Sequence, residues 1–410
     1  MARKVMAATA VAAAAAALGA CDGGDGGSGE GIRFQLAGDA EELRAYRELV
    51  RDYGRESGRE MQLVEVPDRD GHLAKLATSF GGGDPPDVFL INYRHFGAYA
   101  RRGVVDPPGE NAVGRELYRP AVEAFTIDRR LRCVPQNISS LVVYYNRDLF
   151  RAAGLRDPAP DWTYDDFVAA ARRLTRGERH GVGVEPGIVR ASAFVWSAGG
   201  EVVDDTDDPT RFTLDTPEAR RGLERLVALR EQGLSPTAKE AASRSLEERF
   251  ADGSLGMFLS SRREVPSFRT IERFDWDVAA FPRAEQSFTV LHSDAYCVAK
   301  AGDTGAAHAF VSYASGPEGQ RVLARSGRTV PSRPEVARSR VFLDPSQPPR
   351  SSQLFLDAIP RIKRLPTDAR WTEAEDAADL ALERMYYGDL SIDEAIERID
   401  RETGPLLRGP

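Results

Sequence analysis

Asp87-Val88-Phe89-Leu90-Ile91 is a near-continuous apolar run, and it narrows the possible folds more than any other stretch of the chain. A strand that is apolar on both faces has to be covered on both, as in a parallel sheet flanked by helices. The neighbouring segments fit that reading. Ile32-Arg33-Phe34-Gln35-Leu36 alternates as a strand, and Leu43, Tyr46, Leu49, Val50 and Tyr53 then recur at helical spacing. Met61 to Val66 alternates again, and His72 to Phe80 reads as a helix. Leu141 to Tyr145 is a further strand, followed by a helix from Arg147 to Ala153 that ends at Gly154. Thr163 has the character of an N-cap, with Asp166 three residues on. Long helical patterns cover Pro217–Gln232, Ala306–Ala324 and Trp371–Tyr387, and no repeat of solenoid length is present. Strands separated by helices predict α/β units.

The start of the chain addresses it to the outside. Arg3 and Lys4 precede an apolar run from Val5 to Leu18, which closes on Leu18-Gly19-Ala20-Cys21. That is the layout of a secretory signal over residues 1–20. The run of about 14 residues is shorter than the ~20 a membrane-spanning helix needs. The Gly-Ala-Cys ending resembles the bacterial lipobox, which implies that Cys21 is diacylated and heads the mature chain. The expected location is the outer face of the cell membrane, with contact to the membrane only through the lipid. Residues 21–31 are a Gly-rich polar tether. The remaining ~380 residues suffice for two lobes. A net charge of −8 argues against nucleic acid as a partner. Beyond Cys21 only Cys133 and Cys297 remain, and in an exported protein these are either a disulfide or two buried thiols.

Catalytic and cofactor signatures are not evident. His72, His95, His180, His292 and His308 are scattered, with no HExxH and no Cys/His ligand spacing, so neither metal nor cofactor is expected. There is no Gly-x-Ser-x-Gly elbow and no phosphate loop ending in Gly-Lys-Ser/Thr. Gly181-Val182-Gly183-Val184-Glu185-Pro186-Gly187 misses the dinucleotide pattern by one position and places a Pro where the phosphate-binding helix should begin. The acidic stretch Asp204 to Asp208 lacks the Gly and closing Glu of a calcium loop and reads as a solvated turn.

Several blocks, in order, resemble the family 1 extracellular solute-binding proteins, the maltose-binding-protein-like group. Phe80-Gly81-Gly82-Gly83-Asp84-Pro85-Pro86-Asp87-Val88 is similar to the family segment that feeds a strand ending at the cleft. Tyr144-Tyr145-Asn146-Arg147-Asp148-Leu149-Phe150 through Gly154-Leu155, and then Asp161-Trp162-Thr163-Tyr164, follow the family's next two blocks. Ser197-Ala198-Gly199-Gly200-Glu201, Phe250-Ala251-Asp252-Gly253, Tyr313-Ala314-Ser315-Gly316-Pro317 and Gly388-Asp389-Leu390-Ser391 continue the match to the C-terminal region. The resemblance implies an α/β, two-lobe periplasmic-binding-protein (type II) fold with hinge crossings and a central ligand cleft. Lobe one would comprise residues 32–134 and 296–330, and lobe two 140–290 and 331–410. The hinges would lie near 134–140, 290–296 and 329–332. The strands at the first and second crossings would then be neighbours, bringing Cys133 and Cys297 within reach of a disulfide.

In such lobes the ligand sits beyond the carboxyl ends of the strands. The candidate contacts are therefore Gly38 and Asp39 after the first strand, and Asn92, Tyr93, Arg94 and His95 after the third. Asn137 and Ser139 belong to the first crossing, and Asp294 and Tyr296 to the second. Lobe two offers Glu185, Trp196, Gly199, Arg262 and Arg263. Tyr93 and Arg94 lead this set, because a loop after a buried strand has little other reason to display both. Glu185 falls where maltose-binding members carry a sugar-binding carboxylate, but Gly187 lacks the accompanying aromatic, and Arg263 replaces a stacking Trp. Trp162 is expected to be structural, and Trp371 is open between packing and cleft. The expected function is that of an ABC importer's extracellular substrate-binding component, a monomer closing on a sugar or oligosaccharide and then docking on membrane permease subunits. Competing readings are a non-sugar cargo (a polyamine, a phosphate compound or an amino acid), presentation of ligand to a sensor, and an enzyme on a borrowed fold.

Overall fold

The computed structural model describes residues 31–109 and 116–409. The signal segment 1–20, Cys21 and the tether up to residue 30 lie outside the described residues.

Two mixed sheets organise the molecule. In the first, the strand order is Met61–Val66, Ile32–Ala37, Val88–Asn92, Asp294–Ala299, Val105–Asp106. The first three run parallel, and Asp294–Ala299 returns antiparallel beside Val88–Asn92. Val88 through Ile91 are all buried, as a strand covered on both faces must be. In the second sheet the order is His180–Val184, Leu255–Ser260, Val142–Asn146, Trp276–Ala280, with the first pair parallel and the others antiparallel. Each sheet with its helices forms a lobe.

Aromatic side chains fill both interiors. In lobe one the Phe34 ring meets Tyr46, Tyr296 and Phe310 at centroid distances of 5.7, 5.8 and 5.3 Å. In lobe two Tyr144 meets Phe268 edge-on at 5.0 Å and Trp276 at 5.7 Å. Such pairs add roughly 0.5–1.5 kcal/mol each beyond the area they bury. Trp162 is structural, since its Nε1 donates to the Ala280 carbonyl at 2.8 Å and its ring stands edge-on to Phe167.

Local sequence sets the helix ends. Thr163 caps the Tyr164–Leu174 helix in a reciprocal box with Asp166. The expected single helix over Ala306–Ala324 is instead two, Thr304–Ser315 and Pro317–Arg325. Pro317 has no N–H to continue the first helix, and it starts the second at a position where that donor is not needed.

Three chain crossings join the lobes side by side. Ser139–Ser140 pairs antiparallel with Thr289–His292, matching Leu291 to Ser140 and His292 to Ser139. The Ile138 N–H donates to the Val330 carbonyl at 2.9 Å, and Asn137 bridges to Pro331. At the lobe-one root of the first two crossings, Val134–Pro135 pairs with Asp294–Ala299, and Cys133 forms a disulfide with Cys297 across 164 residues of sequence. Replacing both cysteines by Ser is expected to lower unfolding stability by about 2–5 kcal/mol, read as a fall in the urea midpoint. An unchanged midpoint would show that the bond adds nothing the strand pairing does not already supply.

Candidate functional site

The parallel strands of lobe one all end at one rim, and the chain leaves each of them straight into a helix. Asp39 caps the Ala40–Ser57 helix through the Glu41 and Glu42 N–H groups. Asp68 caps Arg69–Gly82 through the Gly71 N–H, and Asn92 caps Tyr93–Arg101 through the Arg94 N–H. Polar caps are needed there because the first N–H groups of a helix have no internal partner. A cavity of about 420 Å³ opens over this rim, bounded on its other side by Glu247, Arg263, Glu264 and Ser267 of lobe two. It lies between the lobes and beyond the strand ends, where α/β folds take ligands.

Charge pairs fix the walls. Arg328, just before the third crossing, reaches Asp39 Oδ2 at 2.6 Å and Glu42 Oε2 at 2.5 Å. Its Nη1 also donates to the Arg263 carbonyl at 3.2 Å, so one side chain touches both lobes. Gly38 leaves room beside it, because a Cβ there would lie 2.8 Å from Glu42 Oε2 and would displace that carboxylate. Burial pushes the Glu42 carboxyl up to about 7; Arg328 opposes the rise, and the Asp294 and Asp39 carboxylates add to it. On the floor, Asp294 accepts from Asn92 Nδ2 at 3.1 Å and Asn137 Nδ2 at 3.2 Å. The Asp294 N–H in turn donates to Asn137 Oδ1 at 3.1 Å. This triad ties the third strand to the first and second crossings.

Two histidines face the same space, and burial favours the neutral form of both. His72 donates from Nε2 to the Leu90 carbonyl at 2.8 Å, its Nδ1 lies 3.2 Å from Gln35 Nε2, and burial lowers its pKa. Burial, with Arg94 and Arg69 nearby, pushes His95 down to about 3. His95 Nδ1 lies 3.4 Å from Thr372 Oγ1, while its buried Nε2 has no partner.

The structure thus brings Gly38, Asp39, Asn92, His95, Arg263 and Asp294 to the cavity, with Asn137 bonded beneath it. The remaining sequence candidates are engaged elsewhere. Tyr93 is fully buried, its hydroxyl accepting from the Leu365 N–H at 3.2 Å. Arg94 forms a buried ion pair with Glu375 of the Trp371–Tyr387 helix. A loop after the third strand would display both, but Asn92 caps a helix that begins at Tyr93 and turns these side chains toward lobe two. Tyr296 belongs to the Phe34 cluster. Arg262 is buried between the rings of Phe342 and Phe355 and donates to the Gly327 carbonyl. Trp196 is 3% exposed and carries Lys363 over its ring. Glu185 pairs with Arg190 at 2.5 Å. Gly199, at φ 85°, follows the C-cap of the Ile188–Ser197 helix, a position that favours glycine. Ser139 is taken up in the crossing strand. Trp371 is core: it lies against Phe212 and donates to Glu375 Oε2 at 2.8 Å.

Sequence reasoning missed Glu42, Asp68, Arg69, His72, Glu247, Glu264, Ser267 and Arg328. The strand-end rule applied to the second strand would have found Pro67-Asp68-Arg69. Nothing local in the sequence marks Glu247 or Arg328.

Residues 37–321 match the model of the bacterial extracellular solute-binding protein family. The chain belongs to this family. A putative binding protein of Brucella abortus is 26% identical over 234 residues, covering 53% of this chain and 54% of that one. The diacetylchitobiose-binding protein DasA of Streptomyces coelicolor is 24% identical over 222 residues, covering 52% and 50%. The chain thus spans about half the length of the curated relatives it matches. An ABC substrate-binding protein of Listeria monocytogenes in complex with cycloalternan superposes with a TM-score of 0.85 at 22% identity, covering 92% of this chain and 99% of the other. That likeness establishes the two-lobe fold of the group.

Two outcomes test the site's electrostatics. Arg94→Ala strands Glu375 as a buried unpaired charge and is expected to cost about 3–5 kcal/mol in denaturant unfolding; a loss confined to ligand binding would return Arg94 to the site. Glu42 titrates above its ordinary 4.5, so its stabilising effect is full below about pH 4.5 and disappears as pH rises through about 7. The melting-temperature advantage of wild type over Glu42→Gln should therefore be greatest near pH 4.5 and shrink toward pH 8. A difference that stays flat across that range would contradict this assignment.

Proposed function

We propose that this protein is the extracellular substrate-binding component of an ABC importer and captures a sugar or oligosaccharide by closing its two lobes. The observation that carries this reading is the polar cleft at the strand ends, bounded by both lobes and floored by the crossing strands. Hydroxyl-rich solutes need many fixed donors and acceptors, and the Asn92–Asp294–Asn137 triad and the Arg328 pairs supply them. Family relatives that bind diacetylchitobiose and cycloalternan support a carbohydrate cargo. The cleft would bind rather than transform its cargo.

The hinges in this reading lie near 134–140, 290–296 and 329–332, between lobe one (32–134 and 296–330) and lobe two (140–290 and 331–410). Closure follows from the ligand's greater affinity for the shut form. The loaded monomer would dock on two permease subunits from outside the cell, held by an acyl chain on Cys21. A thermal-shift screen across mono- and oligosaccharides tests the cargo. A sugar at ~100 times its dissociation constant adds about 2.7 kcal/mol, and small-angle scattering should show contraction with the same sugar. A panel in which no carbohydrate raises the melting temperature while another solute does would refute the sugar cargo. Labelling with a fatty acid that persists in a Cys21→Ala variant would refute the anchor.

A further inference from the structure

We propose that the solute held in this cleft carries a protonated primary or secondary amine, seated between Asp68 and Asp294 of lobe one and Glu247 of lobe two. This deepens the sugar reading and takes the location of the site from it. The cavity wall holds six carboxyl groups (Asp39, Glu42, Asp68, Glu247, Glu264, Asp294) against three guanidinium groups (Arg69, Arg263, Arg328); with Glu42 pushed up to about 7, the other five still outnumber the guanidinium groups. Burial disfavours the charged form of His72 and His95 on the same wall.

The basic groups are mostly spent. Arg328 serves Asp39 and Glu42, and Arg263 serves Glu264 at 2.8 Å. Asp294 is held only by neutral amide donors, and Asp68 by a backbone N–H. Burial raises the Glu247 pKa, and the carboxylates of Glu264 and, from lobe one, Asp39 raise it further. Negative charge from both lobes therefore converges on one formed cavity. On the same wall His95 keeps a nine-tenths-buried Nε2 that has no hydrogen-bond partner among the described residues.

The kind of cation follows from what else lines the space. Among the described residues no group of three or more His, Cys, Asp or Glu could hold a metal ion. No Phe, Tyr or Trp lines the cavity, and a quaternary ammonium, which has no N–H to donate, depends on such faces. An ammonium with N–H donors meets carboxylate acceptors directly, in the stronger, charge-assisted kind of hydrogen bond. It also gives closure a cause. Asp39 of lobe one acts on Glu247 of lobe two across the cleft, and a cation between the lobes turns that repulsion into attraction toward the shut form.

Three disaccharides with one skeleton test this by titration calorimetry on the purified protein, at a pH that keeps the amines protonated: chitobiose with free amines, N,N′-diacetylchitobiose and cellobiose. Spermidine and choline complete the panel. The free diamine is expected to bind at least about tenfold more tightly than its acetamide and hydroxyl counterparts, a gap of about 1.4 kcal/mol. The gap should close in Glu247→Gln and in the exposed Asp68→Asn, each first checked for native circular dichroism. Equal or tighter binding of cellobiose or the diacetyl form would overturn the amine and leave the sugar reading standing. Binding of spermidine with none of the disaccharides would uphold the amine and overturn the sugar. Tighter binding of choline than of any N–H amine, or no binding of any amine probe, would overturn the proposal.

Discussion

The hydrogen bonding of the three crossings to one another is the constraint on which the rest of the site depends. Ser139–Ser140 against Leu291–His292, and Ile138 against Val330, satisfy the crossing backbone within the crossings themselves. Backbone groups paired in this way need no partner from either lobe core. The same seam delivers side chains to the cleft. Asp294 and Arg328 line the cleft within a few residues of it, with Asn137 bonded beneath, so a relative movement of the lobes would act directly on the cavity wall. The Cys133–Cys297 disulfide lies on the lobe-one side, where it fixes the root of two crossings without tying the lobes together.

Much of the scaffold was legible because its signals are local. The buried run at Val88–Ile91, the alternation at Ile32–Leu36 and the Thr163 cap each state their structure within a few residues. The exception among helices is instructive: the apolar spacing of Ala306–Ala324 continues through Gly316-Pro317, and only the missing proline N–H breaks it. Periodicity describes which face is buried, whereas backbone chemistry decides where a helix stops.

The site was half legible, for a related reason. Residues attached to strand ends, such as Asp39, Asn92 and Asp294, follow from topology once the strands are placed. Tyr93 and Arg94 fail because Asn92 ends the strand and starts the helix in one residue, which leaves no loop to display them. Arg328 and Glu247 reach the cavity through tertiary placement alone. Arg328 meets Asp39 across 289 residues of sequence, a separation at which no local pattern carries information.

The fate of the aromatic side chains sets how this cleft can generate affinity. Tyr93, Trp196, Tyr296 and Trp371 are all in the packed interior, and the cavity wall carries carboxylates, guanidinium groups, the Asn92 amide and imidazoles beside the aliphatic Ala37, Pro67, Leu73, Leu90 and Ile91. A wall of that kind offers a sugar's ring face aliphatic contact but no aromatic plane to stack on. What remains is hydrogen bonding, where a neutral bond nets about 0.5–1.5 kcal/mol and one to a charged group about 1.5–3. Three or four charge-assisted bonds are then worth as much as a larger set of neutral ones, and each lost partner leaves a carboxylate desolvated. A cleft built this way would discriminate by penalty. In the proposed closure a solute without a matching donor would bury an unpaired charge, which would reserve the shut state for ligands that answer it.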